Sequence, residues 1–119
     1  MIPGKVRAGV LSAVHKAVAD RLFAAFILWL ISKKPTHGYE IIRILRKEHQ
    51  FAHVGPAMVY PMLARLSRRG LIRFKEEANG KRVRKLYSTT PAGRKRLQDT
   101  KKMFSRDSLR TRFMREMLS

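Results

Sequence analysis

Apolar side chains recur every three or four residues along most of the chain, which is the period of helices that bury one face. A continuous apolar run from Leu22 to Ile31 predicts a centrally buried helix, because it has no polar side to present to water. The pattern leaves open whether residues 5–32 form one helix or two, with Gly9 and the Asp20-Arg21 step as candidate breaks. The early apolar positions of this segment are Val6, Val10, Leu11, Val14 and Val18.

A second helix is predicted shortly after Pro35, which ends the first helical segment because the residue before a proline avoids helical geometry. Thr36 is its predicted N-cap. The apolar positions of this helix are Tyr39, Ile41, Ile42 and Leu45.

A third helix is predicted after Gly55, with Val59, Leu63 and Leu66 as its apolar stripe. Proline disrupts a helix interior, so we expect the helix to begin near Ala57, which would put Pro61 in the first turn. Gly70 is expected to end it in a left-handed conformation.

A hairpin and a last helical region follow. Two strand-like runs, Leu71–Glu77 and Arg82–Thr89, flank Asn79-Gly80, and an Asn-Gly pair favours a hairpin turn because both residues accept positive φ. Thr90-Pro91 then offers an N-cap and a first-turn proline, with the Ser105–Ser108 stretch as a candidate interruption. Three helices followed by a basic hairpin is the element order of a winged helix-turn-helix domain.

Charge indicates what such a domain would contact. The 119 residues include 27 Lys and Arg against 8 Asp and Glu, a net charge of +19, spread through helical and hairpin segments alike. This surface predicts a polyanionic partner: DNA, RNA or an anionic membrane. Since an exposed third helix fits the major groove of B-DNA and a basic hairpin can reach the flanking backbone, double-stranded DNA is the expected partner.

Several classes of function are not expected. The absence of cysteine excludes a disulfide framework, a thiol nucleophile and Cys-ligated metal. The apolar run is shorter than the roughly 20 residues of a membrane span, and no signal peptide is evident, so we expect a cytoplasmic location and no membrane partner. His49 and His53 have metal-ligand spacing, but Gly55-Pro56 disfavours one helix through them. The acidic residues form no acid–base pair. We expect no enzyme, no metal and no cofactor.

Short motifs at fixed separations indicate a family. They are Pro35-Thr36-His37-Gly38-Tyr39-Glu40-Ile41, Val59-Tyr60-Pro61-Met62-Leu63, Leu66 with Gly70-Leu71-Ile72, and Tyr87 with Thr90 and Gly93. Over roughly residues 22–97 the chain resembles the PadR family of transcriptional regulators. The resemblance is specific because two of these motifs occur together at the family's separation.

The resemblance implies a winged-helix homodimer that represses transcription, often until a small-molecule effector releases it from DNA. It implies three regions: an N-terminal helical extension over 1–21, the winged helix-turn-helix DNA-binding domain over 22–90, and a C-terminal dimerisation helix over 91–119. The chain departs from the family at Ala57 and Met58, where Gly and a hydroxyl residue are usual. A hydroxyl that could contact phosphate is therefore missing, and Met58 either contacts base methyls or makes no contact. Thr89 replaces an apolar residue, and the short C-terminal part resembles the subfamily with a single helix after the wing.

The candidate DNA-binding residues lie at the second helix's start, on the third helix or on the hairpin. They are His37, Ala57, Met58, Tyr60, Pro61, Arg65, Arg68, Lys75, Lys81, Arg82 and Arg84. The candidate dimerisation residues are apolar residues of the terminal helices: Val10, Val14, Leu97, Phe104, Phe113, Met114 and Met117. Tyr39 and Trp29 are expected in the core, with an effector pocket at the dimer interface as the alternative for Trp29.

Other interpretations remain open on the sequence. Tyr60 is either a phosphate contact or a ring packed under the hairpin, and His37 either contacts phosphate or shapes the helix-turn-helix entry. The leading function is a sequence-specific repressor that binds a pseudo-palindromic operator. The charge and the lack of Asn and Gln on the third helix favour a chromatin-like or architectural DNA-binding protein instead. A third hypothesis is a module that binds a protein or a membrane. It is supported by the C-terminal helix, which is basic and carries Met and Phe.

Overall fold

Helices dominate the fold, and a small sheet lies between them in the chain order. A computed structural model describes residues 4–48, 53–103, 105 and 108–118, without the side chains of residues 4–15, 17, 18, 110, 114 and 118. The described elements are α1 (Gly4–Lys33), β1 (Thr36–His37), α2 (Gly38–Lys47), α3 (Pro56–Arg68), β2 (Ile72–Asn79), β3 (Arg82–Thr89), α4 (Pro91–Met103) and α5 (Leu109–Leu118). The strands form one antiparallel sheet in the order β1-β3-β2. This is the predicted mainly α architecture with a β-hairpin.

The first helix, α1, is continuous over 30 residues, so neither Gly9 nor the Asp20-Arg21 step interrupts it. Ile27 and Ile31, one turn apart, lie in the core. The prediction that the whole Leu22–Ile31 run is buried is wrong, as is the prediction of Trp29 in the core: Leu22 is 52% exposed and Trp29 45%. The physical reason is that one stripe of the helix packs on the domain, while the opposite stripe faces away from it.

The core lies where α1, α2, α3 and the base of the hairpin meet. A helix buries residues three and four apart, and α2 and α3 follow this period. The buried apolar residues are Ile27, Leu28, Ile31, Ile41, Ile42, Leu45, Val54, Val59, Met62, Leu63, Leu66, Leu71, Ile72 and Tyr87.

The start of α2 differs from its prediction. Thr36 is not the N-cap, because it belongs to β1, where it is in register with Tyr87. Its hydroxyl donates to the carbonyl of Lys34 at 2.7 Å. His37 takes the N-cap position in an extended conformation, without a side-chain cap bond. The two-residue strand β1 therefore connects the helix-turn-helix directly to the sheet.

The third helix begins one residue earlier than expected. Since α3 starts at Pro56, Pro61 is inside the helix and not in its first turn, which corrects the prediction. Its missing N–H leaves the carbonyl of Ala57 without a helical donor, but both residues are exposed, so water can satisfy it.

The end of α3 agrees with its prediction. Gly70 has φ of +73°, its N–H donates to the carbonyl of Ser67, and the N–H of Leu71 donates to that of Leu66. These are the two bonds of a Schellman motif, which satisfies the last carbonyls of a helix.

The hairpin turn is displaced by one residue from its prediction. Asn79 and Arg82 form the last pair of the ladder, so the central residues are Gly80 and Lys81 and not Asn79-Gly80. Gly80 has φ of +64°, and no described non-glycine residue has positive φ. Positive φ at the first central residue alone is typical of a type II′ turn, which suits the twist of a hairpin.

The junction between the sheet and α4 is built on Thr90. Its hydroxyl accepts from the N–H of Gly93 at 3.0 Å, which makes Thr90 the predicted N-cap. The same hydroxyl donates to the carbonyl of Gly70 at 2.6 Å. A Cβ atom at Gly93 would lie 2.0 Å from the carbonyl oxygen of Leu71, so this position requires glycine.

The C-terminal region contains two described helices and not one. α4 ends at Met103, and α5 begins at Leu109, so the expectation of a single helix after the wing is wrong. The Ser105–Ser108 stretch, a candidate interruption, separates them. The hydroxyl of Ser108 accepts from the N–H of Thr111 at 3.1 Å and so caps the start of α5.

Candidate nucleic-acid interface

The side of α3 opposite the core is open to solvent. Val59, Met62, Leu63 and Leu66 are buried, whereas every residue predicted on this helix to contact DNA is exposed. Tyr60 is 45% exposed and Met58 41%. The exposed predicted residues are Ala57, Met58, Tyr60, Pro61, Arg65 and Arg68. The helix therefore presents a continuous outer face, as insertion into a groove requires.

This outer face and the hairpin border a common cleft of about 580 Å³. Tyr60, Ala64, Ser67 and Arg68 of α3 form one wall. The hairpin and the start of α2 complete the lining with His37, Gly38, Tyr39, Phe74, Val83, Arg84, Lys85 and Tyr87. The helix and the hairpin thus face the same space. Ala64, Ser67, Phe74 and Val83 were not predicted, because no charge or motif distinguishes them in the sequence.

The floor of the cleft is formed by Tyr87. Its ring lies 5.8 Å from that of Phe74. Burial raises the pKa of the Tyr87 hydroxyl, and the neighbouring Tyr60 hydroxyl adds a smaller increase, so Tyr87 stays neutral at physiological pH. A Cβ atom at Gly38 would lie 2.6 Å from Cε1 of Tyr60. Gly38 therefore lets the Tyr60 ring lie against the start of α2.

The predicted cations on the strands of the hairpin, Lys75, Arg82 and Arg84, lie on one face. Alternate strand residues lie on opposite faces. Most hairpin residues of the cleft lie on the face that carries Phe74 and Lys85, and Arg84 of the other face also borders it. Lys75 lies on the other face, with Arg82 and Arg84. Lys81 is at the turn, where it and Arg82 are exposed. The tip cations are therefore free to reach a phosphate backbone, while Lys75 points away from the cleft.

Two of the predicted DNA-binding residues are held by the protein itself. Nη1 of Arg84 donates to the Tyr39 hydroxyl at 3.1 Å. His37 Nδ1 lies 2.8 Å from a Glu40 carboxylate oxygen, and His37 Nε2 lies 3.2 Å from one of Glu77. A phosphate contact by either residue would require these bonds to break.

The two arginines predicted on α3 lie on different sides. Arg68 lines the cleft with the hairpin, whereas Arg65 lines a second cavity of about 580 Å³ between α1, α3 and α4. Arg65 donates to Met62 Sδ at 3.7 Å. The other charged residues around this cavity are Asp20, Arg21, Arg69 and Arg96. The spacing of the two arginines in the sequence does not predict that they line different cavities, because both lie outside the apolar stripe.

The predicted dimerisation residues are only partly described. Leu97 packs against the core of its own chain. Phe113 and Met117 are exposed. Phe104 and the side chains of Val10, Val14 and Met114 lie outside the described residues.

The described residues contain neither a metal-binding cluster nor a membrane-spanning helix. No group of three or more His, Asp or Glu residues there is arranged to hold a metal ion; His49 lies outside the description. The described helices include none with the length and apolarity to cross a membrane.

The comparisons with known proteins agree with this geometry. The sequence model of the family described as the transcriptional regulator PadR-like family matches residues 27–99, more than half of the chain. The chain belongs to the PadR-like family. The motifs that indicated this family lie at the start of α2, along α3 and at its end, and around the Thr90 junction.

Related proteins extend the comparison. This PadR-like chain is 31% identical over 92 residues to the transcriptional regulator Rv3488 of Mycobacterium tuberculosis, covering 77% of this chain and 71% of that protein. It is similar to Bacillus subtilis PadR in complex with operator DNA, with 32% identity and a TM-score of 0.60, over 66% of this chain and 45% of that one. It is also similar to a PadR-like regulator from Bacillus cereus, with 27% identity and a TM-score of 0.68, over 82% and 92% of the two chains.

These neighbours identify the architecture as a winged helix-turn-helix, as the element order predicted. In this PadR-like chain α2 and α3 form the helix-turn-helix, and β2 and β3 form the wing. All of α5 and the last residues of α4 lie beyond the matched residues 27–99.

Proposed function

We propose that this PadR-like chain is a sequence-specific, DNA-binding transcriptional regulator that acts as a repressor and binds a pseudo-palindromic operator as a homodimer. The observation that carries the proposal is the common cleft: the open face of α3 and the wing border the same space. A helix in the major groove with a ribbon on the adjacent backbone is one way such a pair can contact B-DNA.

The distribution of side chains supports two kinds of contact. Lys81 and Arg82 at the exposed tip are suited to phosphates, where they would add affinity independent of sequence. The N-terminal half of α3 exposes Met58 and Tyr60, which are suited to a thymine methyl and to a phosphate oxygen, respectively. Arg68, also on the cleft, is suited to guanine.

Exposed apolar surface on the terminal helices supports the homodimer. Trp29 of α1 and Met103 of α4 are exposed, as are Leu109, Phe113 and Met117 of α5. Large apolar side chains exposed on neighbouring helical segments are typical of an interface. A second copy of the chain would bury them and would place two copies of α3 at the two half-sites of an operator.

The second cavity supports release by a small effector. It lies between α3 and the helices α1 and α4, so a ligand there would contact both the DNA-reading helix and the dimerisation region. Arg65, Arg69 and Arg96 favour an anionic ligand. Isothermal titration with aromatic carboxylates should detect binding that Arg96→Ala weakens, and equal binding to the variant would contradict this part of the proposal.

The test of the proposed function is selection of bound duplexes from a random library at about 0.15 M salt. We expect a selected site with two related half-sites about 10 base pairs apart, or a multiple of that. Fluorescence anisotropy should give an affinity about 10³-fold or more above that for a scrambled duplex. A ratio below about tenfold would contradict sequence-specific binding.

A low-specificity architectural DNA-binding protein is the second candidate. It is favoured by the net charge of +19 and by the composition of α3, in which no residue is Asn or Gln. Those amides are the usual bidentate readers of adenine. Equal affinities for selected and scrambled duplexes, with a steep dependence on salt, would support this candidate.

A further inference from the structure

Arg84 differs from the other basic residues of the wing tip because its side chain is turned inward. Its guanidinium carbon lies 4.6 Å from the centroid of the Tyr39 ring, and Nη1 donates to the hydroxyl of the same tyrosine at 3.1 Å. Arg84 is only partly exposed, whereas Lys81 and Arg82 are exposed. The wing is thus connected to α2 through Tyr39, by a cation–π contact and a hydrogen bond.

His37 forms a second connection between the same two elements. Nδ1 lies 2.8 Å from Glu40 in the first turn of α2, and Nε2 lies 3.2 Å from Glu77 of β2. The imidazole stacks on the Tyr39 ring with centroids 5.8 Å apart. Glu77 and Arg84 are directly opposite each other in the ladder. Both connections therefore meet the wing at a single pair of residues.

The Glu77–Arg84 pair lies in the part of the wing that β1 does not support. β1 supports β3 only at Leu86 and Tyr87, and beyond that point the hairpin has two strands. A two-stranded hairpin is marginally stable by itself. The Glu77–Arg84 pair lies between the end of the β1 contact and the Gly80-Lys81 turn, so it is placed to hold the unsupported part of the wing.

We infer that His37 and Tyr39 are positioning residues that fix the wing against α2 through Glu77 and Arg84, so that Lys81 and Arg82 are held at a set distance from α3. The inference rests on the proposed function in one respect, since it assigns the fixed wing a role in DNA binding. In this inference Arg84 holds the wing against α2, whereas the sequence predicted that it contacts a phosphate.

The two ring nitrogens of His37 each face one carboxylate. A neutral imidazole has one N–H, so both ring nitrogens can donate to carboxylates only in the imidazolium form. The charged and polar groups facing the ring are Glu40 of α2, Glu77 of β2, and Tyr39 with Arg84 behind it; Arg68 and Lys85 line the same cleft.

The decisive experiment compares Glu77→Ala with Glu76→Ala. Both remove one carboxylate from β2, but Glu76 lies on the opposite face of the strand, in register with Lys85. Charge alone predicts that either variant binds DNA about twofold more tightly. If Glu77 holds the wing, Glu77→Ala should instead bind on the order of tenfold more weakly than Glu76→Ala. Equal affinities of the two variants would overturn the inference.

A second measurement needs no DNA. The ¹H–¹⁵N heteronuclear NOE of the free protein should fall at the amides of residues 78–83 in Glu77→Ala and stay unchanged in Glu76→Ala. Unchanged values in both would overturn the inference even if neither variant binds DNA. Failure of the wild-type protein to bind any duplex would remove the proposed function, while this measurement would still decide whether the wing is held.

A conservative variant separates positioning from a loss of folding. Glu77→Gln keeps an acceptor for the Nε2–H of His37, so it should restore most of the NOE that Glu77→Ala loses, and no recovery would count against the contact.

Discussion

The helix-turn-helix and the C-terminal helices use their apolar residues in opposite ways. α2 and α3 direct Ile41, Leu45 and Leu63 into a core where each is fully buried, whereas α5 leaves Phe113 62% exposed. Among the described residues of α4, only Gly93 is buried. The helix-turn-helix half is thus packed within one chain, while the terminal half leaves apolar surface exposed. The two halves should therefore respond differently to the same kind of substitution.

The largest expected effect is on folding. Leu63→Ala should lower the free energy of unfolding by about 2–5 kcal/mol, because it leaves a cavity at a fully buried position of α3. Phe113→Ala should change it by less than about 0.5 kcal/mol at concentrations where the chain is monomeric, because that ring has little to lose. Urea denaturation measures both, and similar losses would show that the two halves do not differ.

The next effect concerns assembly. Phe113→Ala with Met117→Ala should weaken self-association by about 1.5–3 kcal/mol for each side chain that the interface buries. Sedimentation equilibrium at micromolar concentration should then show a shift towards monomer. Arg115→Ala, an exposed residue of the same helix, is the matched control and should leave the association unchanged. A wild-type protein that is already monomeric would contradict the homodimer.

A smaller effect tests the DNA-facing half. Lys81→Ala with Arg82→Ala should reduce the slope of log affinity against log salt by about 0.9 for each lost phosphate contact, equally for selected and scrambled duplexes. The matched control is Lys101→Ala with Lys102→Ala, which removes the same charge from the last turn of α4. If both pairs change the slope equally, net charge and not the wing explains binding.

The smallest effect concerns a buried hydroxyl group near the core. Thr89 is buried, and its hydroxyl has no hydrogen-bond partner among the described residues. Thr89→Val should therefore raise stability by about 1 kcal/mol. Thr36 is also buried, but its hydroxyl donates to the carbonyl of Lys34, so Thr36→Val should lower stability by a similar amount. Thermal unfolding distinguishes the two, and shifts of the same sign would contradict this account.

Local chemistry explains what the sequence predicted well. Gly70 ends α3 and Thr90 caps α4 because the conformation and the hydroxyl that these positions require are properties of the residues themselves. The helical periods of α2 and α3 identified their buried faces. The shift of the hairpin turn to Gly80-Lys81 is an error of one residue within the correct element.

The remaining features depend on contacts between distant segments. β1 has two residues, too few to produce an alternating pattern, and it exists because β3 lies beside it. Nothing in the spacing of Arg65, Arg68 and Arg84 distinguishes a cavity wall, a cleft wall and an inward contact with Tyr39. Trp29 was misplaced because an aromatic residue at helical spacing is usually buried, whereas here its stripe of α1 faces away from the domain.

The Thr90 hydroxyl bears on the spacing of the half-sites in the proposed operator. It joins the carbonyl at the end of α3 to the amide at the start of α4, and Gly93 allows the two segments to touch. In a homodimer assembled through α4 and α5, the separation of the two α3 helices would follow from the angle at this joint. Substitutions there would change how many base pairs separate the two half-sites, with no change in the bases each half-site contains.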